Sequence, residues 1–268
     1  MTKEQKLYPE SQEFELKKSF VGFVDILGFS NLFPKKTQMC LKLLSEFTSH
    51  NGEHFDKLLD TGERQIRAAA VCFSDNIVTS IPTITNHDKP DLFYRPLIAF
   101  LHALSFFSYR AFLNGMYMRG AIACGDMYQT ESVVAGEPLI EAVRYEKVAL
   151  YPRIILTPSF KQQLDLFIKG SPYGWSKKDI YTNCHIEQDE IDGTHYFNWL
   201  GFHKSNPLSN RSNTKQSEII QTEIMCESFI RKEIEKEKDL ATLQKLYWMK
   251  HFLEKSISKE IIKNQILA

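Results

Sequence analysis

The chain has 268 residues, of which 43% are hydrophobic, and it carries 33 basic and 33 acidic side chains. This length allows one large domain, or one domain with an appendage, and the apolar content is enough for a full core. The balanced charge does not indicate a surface that binds nucleic acid or membrane through bulk charge. The five cysteines form no Cys-x-x-Cys pair, so we expect free thiols in a reducing cytoplasm and no zinc site.

The amino-terminal segment and the most apolar segment bear on localisation. Residues 1–5 are polar and lack the apolar core of a signal peptide. Residues 96–113 are apolar but include His102 and Arg110, which favours a buried helix over a membrane span. A cytoplasmic protein is therefore expected.

The first half of the chain predicts strands and helices in alternation. A buried strand is expected at 18–26, a helix at 31–49 and a loop at 50–64. Two strands within 66–82 are expected to meet at a turn around Ser74-Asp75-Asn76. After a loop at 86–91, an apolar helix at 92–114 ends on Asn114-Gly115, a typical carboxyl-terminal cap.

The second half begins with a predicted hairpin. Strands at 116–124 and 127–134 are expected to join at Gly125-Asp126, a dipeptide typical of hairpin turns. A helix at 138–149 with Pro138 near its start and a strand at 153–156 follow. Short strands and loops are expected at 170–204, and helix at 213–262.

The resulting order, β-α-β-β-α-β-β-α-β, indicates an α+β fold of ferredoxin-like descent with helices on one face of the sheet. We expect a core at 1–165, followed by an aromatic segment and helical extension at 166–268 that could form one domain with it.

Two carboxylates interrupt apolar segments that read as buried strands. Asp25 ends the apolar run 20–25, and Asp75 lies within the apolar run 68–78. A carboxylate in such a position is costly unless another group compensates its charge. A divalent cation between the two carboxylates would do so, which points to nucleotide chemistry. Each residue alone also has a structural interpretation, Asp25 as a helix cap and Asp75 as a turn residue.

Four short motifs around these residues follow one another in an order that resembles the catalytic domain of class III nucleotidyl cyclases. They are Asp25-Ile26-Leu27-Gly28-Phe29-Ser30, then Phe73-Ser74-Asp75, then Arg119-Gly120 through Gly125, and finally Gly136 through Ala142 and Arg144. The resemblance covers roughly residues 18–165. It implies an enzyme that attacks the α-phosphorus of a nucleoside triphosphate with the ribose 3′-hydroxyl, releasing pyrophosphate.

The resemblance also implies roles for individual residues. Asp25, Asp75 and the Ile26 carbonyl would hold two Mg²⁺ or Mn²⁺ ions, which suit hard oxygen ligands. Arg144 would neutralise charge at phosphorus, although the same side chain could be a solvated helix charge. Backbone amides of the segment from Ile26 to Ser30 would cradle the triphosphate. That segment comprises Ile26, Leu27, Gly28, Phe29 and Ser30, and Ser30 could equally cap the helix.

Assembly is likewise implied by the resemblance. Class III sites form between two catalytic domains packed head to tail, so a homodimer with two shared sites is expected. Arg119 is expected to order the sheet or the dimer, without contact to nucleotide.

Several positions depart from the purine-cyclase pattern. Val71 and Val133 occupy the two positions at which adenylyl cyclases read the base, and Ile140 replaces an asparagine. A pocket without these hydrogen-bonding groups should lose much of its discrimination for adenine. Ser74 also replaces the glycine usual before the second metal aspartate.

This pattern, together with a helical tail containing Trp248, is similar to the pyrimidine cyclases of bacterial Pycsar antiphage systems. That similarity implies cyclic UMP or cyclic CMP as the product, acting on a separate effector protein, with UTP favoured because cyclic UMP is the commoner product. The alternatives are an adenylate or guanylate cyclase with an atypical base pocket, and a non-catalytic nucleotide-sensing relative. Neither nucleic acid nor membrane is an expected partner.

Overall fold

The computed structural model describes residues 15–59, 69–83, 90–130, 133–205 and 213–266. Eight strands and eight helices occupy these ranges. In chain order they are β1 (Lys17–Ile26), α1 (Phe29–Leu59), β2 (Ala69–Phe73), β3 (Asn76–Pro82), α2 (Asp91–Leu113), β4 (Met118–Gln129), β5 (Val134–Gly136), α3 (Glu137–Glu146), β6 (Ile154–Leu156), α4 (Pro158–Gly170), α5 (Lys177–Asn183), β7 (Ile186–Gln188), β8 (His195–Phe197), α6 (Trp199–Ser205), α7 (Asn213–Lys236) and α8 (Leu240–Ile266).

One mixed sheet organises the molecule and confirms the predicted α+β class. Its strand order is β2-β3-β1-β4-β6-β8-β7, and β5 pairs with β4 beside this path. β1 lies between β3 and β4 and is antiparallel to both, whereas β6 runs parallel to β4. The first nine elements follow the predicted order. β7 and β8 belong to the same sheet although they lie beyond residue 165, the predicted end of the core, and that boundary stays a prediction.

Helices cover both faces of the sheet, so the prediction of a single covered face is wrong. On one face, Phe20 of β1 contacts Phe93 and Phe100 of α2 and Phe160 of α4, with ring centroids 5.1 to 5.9 Å apart. The other face carries α3, whose Pro138 would lie 3.3 Å from a Cβ added at Gly125. Successive residues of a strand point to opposite faces, which separates these two layers.

α1 is longer than predicted, since residues 50–59 of the expected loop continue the helix. Gly52 suggested a break, but an isolated glycine costs only about 1 kcal/mol relative to alanine in a helix interior. The remainder of that loop, and most of the loop predicted at 86–91, lie outside the described residues. A kink occurs instead at Lys36, whose φ is −134°, two residues after Pro34.

The predicted turn at Gly125-Asp126 and the returning strand at 127–134 are also wrong. β4 passes straight through both residues, with Gly125 paired to Ser19 and Asp126 paired to Lys18 of β1. The chain reverses only after Gln129, and the returning strand is the short β5. Pairing with ten residues of β1 outweighs the local turn preference of the dipeptide. Gly125 is explained instead by the close approach of Pro138.

The carboxyl-terminal helices are tied to the sheet by a buried arginine. Arg153, 1% exposed, precedes β6 and forms ion pairs with Asp189 and Asp192 in the β7–β8 connection. Asp189 also accepts a hydrogen bond from the Trp248 indole of α8 at 2.7 Å. The predicted helical stretch at 213–262 is in fact two helices, because residues 237–239 are not helical and Asp239 caps the start of α8.

The ion pair between Arg153 and Asp192 predicts how the stability of the fold depends on pH in acid. Hydrogen bonding from Arg153 lowers the pKa of Asp192 to about 2, from an ordinary value of 3.8. A lowered pKa in the folded state stabilises the fold above the ordinary pKa, and this contribution disappears as the pH falls from about 4 to about 2. We expect Asp192→Asn to cost about 1 kcal/mol at neutral pH, because the carboxylate is partly exposed.

The difference between wild type and Asp192→Asn should shrink as urea unfolding is repeated at decreasing pH through that window. Asp126→Asn, which removes an exposed carboxylate from β4, serves as the control and should change little. A difference that stays constant down to about pH 2 would contradict the assignment.

The most apolar segment of the sequence forms α2. Among the described helices it is the one long and apolar enough to cross a membrane, and 67% of its most apolar window is buried inside the protein. Its Phe93, Leu97 and Phe100 face the sheet and are fully buried.

Candidate active site

Asp25 and Asp75 lie at the same end of neighbouring strands. Asp25 is the penultimate residue of β1, and Asp75 occupies the turn that joins β2 to β3. The register pairs Val24 with Ile77, so the next pair is Asp25 with Asn76, directly after Asp75. The structure therefore brings together the two carboxylates predicted to hold metal.

The turn carrying Asp75 is a two-residue hairpin loop. Phe73 pairs with Asn76, leaving Ser74 and Asp75 as the loop. Ser74 has a φ of +58°, a left-handed conformation that costs a residue with a side chain roughly 1–2 kcal/mol. Glycine would adopt this conformation without that cost. The carboxylate of Asp75 accepts a hydrogen bond of 3.3 Å from the side chain of Asn76.

The segment after Asp25 turns sharply into α1. Gly28 has a φ of +71°, and its carbonyl accepts hydrogen bonds from the amides of Asn31 and Leu32 at 3.0 and 3.1 Å. A Cβ at Gly28 would meet no atom within 4 Å, so the space above this turn is open. Ile26 and the Phe29 ring are buried in the core, whereas Ser30 is exposed. A phosphate contact would therefore come from the backbone amides and from Ser30.

Two cross-strand rows form the open part of the face that carries α3. Paired residues of antiparallel strands share a face. Asp25 pairs with Arg119 on one side, and on the other side its row continues through Asn76 to Phe73, which is 80% exposed. The neighbouring row is apolar and partly exposed. It consists of Phe23, Val78 and Val71.

A buried three-charge cluster surrounds Asp25. The Arg119 guanidinium donates to both Asp25 oxygens, at 2.9 Å from Nη2 and 3.4 Å from Nε, and also forms an ion pair with Glu146 at the end of α3. The Asp25 side chain is 15% exposed and that of Glu146 is 8% exposed. Burial, reinforced by the negative charge of Asp25, raises the pKa of Glu146. Arg119 thus organises the site as well as the sheet.

Glu146 was not predicted from the sequence, although a signal was present. Pro138, Ala142 and Glu146 follow one another at intervals of four residues and are the buried residues of α3. A glutamate in a stripe that otherwise buries proline and alanine needs a positive partner. Arg119 supplies that partner from β4.

Arg144 lies on the opposite side of α3 from Glu146. Two residues correspond to about 200° around a helix, and Arg144 is exposed together with Ile140 one turn earlier. Among the described residues, no acidic side chain forms an ion pair with Arg144. The structure therefore does not bring Arg144 to the carboxylates of its own chain.

The two valines predicted at base-reading positions are far apart within one chain. Val71 pairs with Val78 in the row beside Asp25. Val133 lies beyond the other end of β4, about ten residues from Arg119 along that strand, which corresponds to roughly 33 Å. Glu141, next to Ile140, is held by the amide of Ser159 at 3.2 Å at the start of α4.

The donor set fits Mg²⁺ or Mn²⁺ with few protein ligands. Magnesium is commonly held by one or two carboxylates together with substrate phosphates and water. Asp25 and Asp75 can supply two carboxylates and Ile26 a carbonyl, all of them hard oxygen donors. No group of three or more metal-ligating side chains occurs within the described part of the chain. A cation held here would therefore need further oxygen ligands besides these side chains.

Comparison with known proteins gives structural likenesses at low sequence identity. No protein-family model matches the chain, and no curated protein matches it. The adenylyl cyclase CyaB from P. aeruginosa is similar at 15% identity and a TM-score of 0.39, covering 59% of this chain and 83% of its own. A bacterial light-regulated adenylyl cyclase is similar at 16% identity and a TM-score of 0.34, covering 56% and 81%.

A third solved structure, the adenylate/guanylate cyclase/hydrolase from Silicibacter pomeroyi, is similar at 13% identity and a TM-score of 0.34, covering 68% of this chain and 95% of its own. At these scores the likenesses assign neither membership of a family nor an activity.

Proposed function

We propose that the chain is a nucleotide cyclase that converts UTP, or CTP, to the 3′,5′-cyclic monophosphate and pyrophosphate. The observation that carries this proposal is the placement of Asp25 and Asp75 at one end of adjacent strands, beside the open glycine turn at the start of α1. Two carboxylates beside helix amides can bind the metal and phosphate parts of a nucleoside triphosphate.

Separate residues of this chain would bind the metal ions and the triphosphate. Bound Mg²⁺ or Mn²⁺ ions would lower the pKa of the attacking 3′-hydroxyl and offset charge on the phosphates. Asp25 and Asp75 hold those ions, with the Ile26 carbonyl as a further donor. The Leu27 amide donates to the Tyr117 carbonyl at 2.9 Å, so it is not available to a phosphate. Amides of Gly28, Phe29 and Ser30 would orient the triphosphate.

Arg144 supports a site shared between two copies. It is exposed and points away from Asp25, so it can reach a nucleotide bound to the carboxylates of a partner chain but not of its own. A symmetric dimer repeats the same contact twice and would generate two sites. In that position the guanidinium would stabilise the charge that develops as pyrophosphate leaves.

The base specificity is supported by the row beside Asp25. Phe23, Val78 and Val71 offer apolar surface and no side-chain hydrogen-bond donor or acceptor. The row therefore lacks the polar groups with which a site would read adenine or guanine, and the groups that would read a pyrimidine must lie elsewhere. The preference for UTP over CTP, the role in antiphage defence and the separate effector rest on the sequence resemblance alone. The cytoplasmic location rests on the polar residues 1–5 and on the cysteine pattern.

One observation favours a second candidate, a non-catalytic nucleotide-sensing module. Arg119 occupies both oxygens of Asp25, and its positive charge competes with a metal ion there. A protein that only senses nucleotide could keep this ion pair permanently.

The purified chain, incubated separately with ATP, GTP, CTP and UTP plus Mn²⁺, should yield a cyclic pyrimidine nucleotide identified by mass spectrometry. A cyclic purine product alone would contradict the pyrimidine specificity. Nucleotide binding without any product would instead support the sensing module.

Val71→Lys places a hydrogen-bond donor in the apolar row and should shift turnover from pyrimidine toward purine substrate. Val148→Lys, which adds the same charge at an exposed valine outside this row, is the matched control and should leave the substrate preference unchanged.

A further inference from the structure

We propose that Glu146 is a positioning residue that sets the metal affinity of Asp25 by holding and neutralising Arg119. This inference rests on the proposed function, because it assumes that Asp25 is a metal ligand. It adds a role for a residue that lies on a different element from both metal carboxylates and that does not itself contact substrate.

The contacts assign this role. Nη2 of Arg119 lies 2.9 Å from Oδ2 of Asp25 and forms an ion pair with Glu146 through the same nitrogen. Arg119 Nε is 3.4 Å from Oδ1 of Asp25, a weaker contact than that to Oδ2. Oδ1 is therefore the oxygen that a metal ion can most readily take over, while Arg119 keeps the carboxylate oriented through Oδ2.

The charge balance at Asp25 explains the role of the Glu146 carboxylate. Asp25 and Arg119 together are neutral, which leaves Asp75 as the one uncompensated carboxylate of the proposed metal site. Glu146 restores one negative charge to the cluster and gives Arg119 an alternative partner when a cation approaches Asp25. The side chains of Asp25 and Glu146 are mostly buried, so the solvent screens their interactions with Arg119 weakly.

The cluster predicts opposite effects for substitutions of Glu146 and of Arg119. Glu146→Gln removes the negative charge and leaves Arg119 to Asp25 alone, so the dissociation constant for Mn²⁺ should rise by about tenfold or more. Arg119→Met removes the competing positive charge, so the dissociation constant should fall. A purely structural role would predict weaker binding in both variants, since each loses a buried ion pair.

The test is a titration of the full chain with Mn²⁺ alone, in which electron paramagnetic resonance measures free metal at about pH 8, well above the ordinary carboxyl range. Asp25→Asn establishes that the measured site is the one at Asp25. Glu141→Gln is the matched control, because Glu141 lies on the same helix but bonds to Ser159. It should bind Mn²⁺ like wild type.

The outcomes separate this inference from the proposed function. If wild type binds Mn²⁺ through Asp25 but Glu146→Gln and Arg119→Met bind equally well, or both bind more weakly, the role of Glu146 is overturned and the metal site stands. If wild type does not bind Mn²⁺, both fail. Circular dichroism melting checks folding, and if Glu146→Gln does not fold, Arg119→Met decides alone, with unchanged or weaker binding overturning the inference.

Discussion

Replacing Asp75 by asparagine is expected to lower cyclic nucleotide formation by at least about a thousandfold, equivalent to about 4 kcal/mol of transition-state stabilisation. Asp75 lies in the β2–β3 turn, where it is partly exposed and bonds only to the adjacent Asn76 among the hydrogen bonds that the structure shows. The substitution keeps the shape of the side chain and removes the charge that would hold the cation. Product is measured at saturating Mn²⁺ and nucleotide.

The same variant should keep its melting temperature within a few degrees of wild type, because the loop is at the surface. Asp126→Asn removes an exposed carboxylate from β4, away from the proposed site, and should retain full activity. Residual activity of Asp75→Asn near the wild-type level would show that the metal assignment is wrong.

Arg144→Ala is expected to lower kcat by about a hundredfold to a thousandfold with a smaller change in KM, since its charge would act mainly in the transition state. The stability of the fold should not change, because Arg144 is exposed on α3. Lys147→Ala, which removes an exposed positive charge three residues later, is the matched control and should stay near wild type.

Mixing two inactive variants tests whether the site is shared. Asp25→Ala and Arg144→Ala subunits, combined equally and allowed to exchange, should recover about a quarter of the wild-type activity, because half of the dimers would contain one intact site of two. A mixture no more active than its parents would contradict a composite site.

The sequence predicted the parts of the fold that depend on local patterns. Apolar runs located β1 and β6, Asn114-Gly115 marked the end of α2, and Pro138 marked the start of α3. Each of these signals consists of a few neighbouring residues and depends little on the rest of the chain. The same holds for Asp25 and Asp75, whose polarity contrasts with their apolar neighbours.

Features set by long-range contacts were missed. Gly125-Asp126 reads as a turn when only its neighbours are considered, but its pairing partners in β1 are more than a hundred residues away. The contact of Glu146 with Arg119, and hence with Asp25, joins three separate elements. The stripe on α3 indicated that Glu146 is buried, yet only the register of β1 with β4 identifies its partner. The placement of α3 on its own face follows from the same register.

The buried arginine before β6 also has a consequence for the timing of synthesis. Arg153 finds Asp189 only 36 residues later, and the Trp248 indole that secures Asp189 follows 59 residues after that. At ribosomal rates Arg153 stays unpaired for roughly 2 to 7 seconds, until Asp189 has been made, and an unpaired arginine disfavours docking of β6 beside β4. A nascent chain that already contains every proposed catalytic residue therefore lacks its complete sheet. The sheet and the helix that secures it are therefore complete only after α8 has been made.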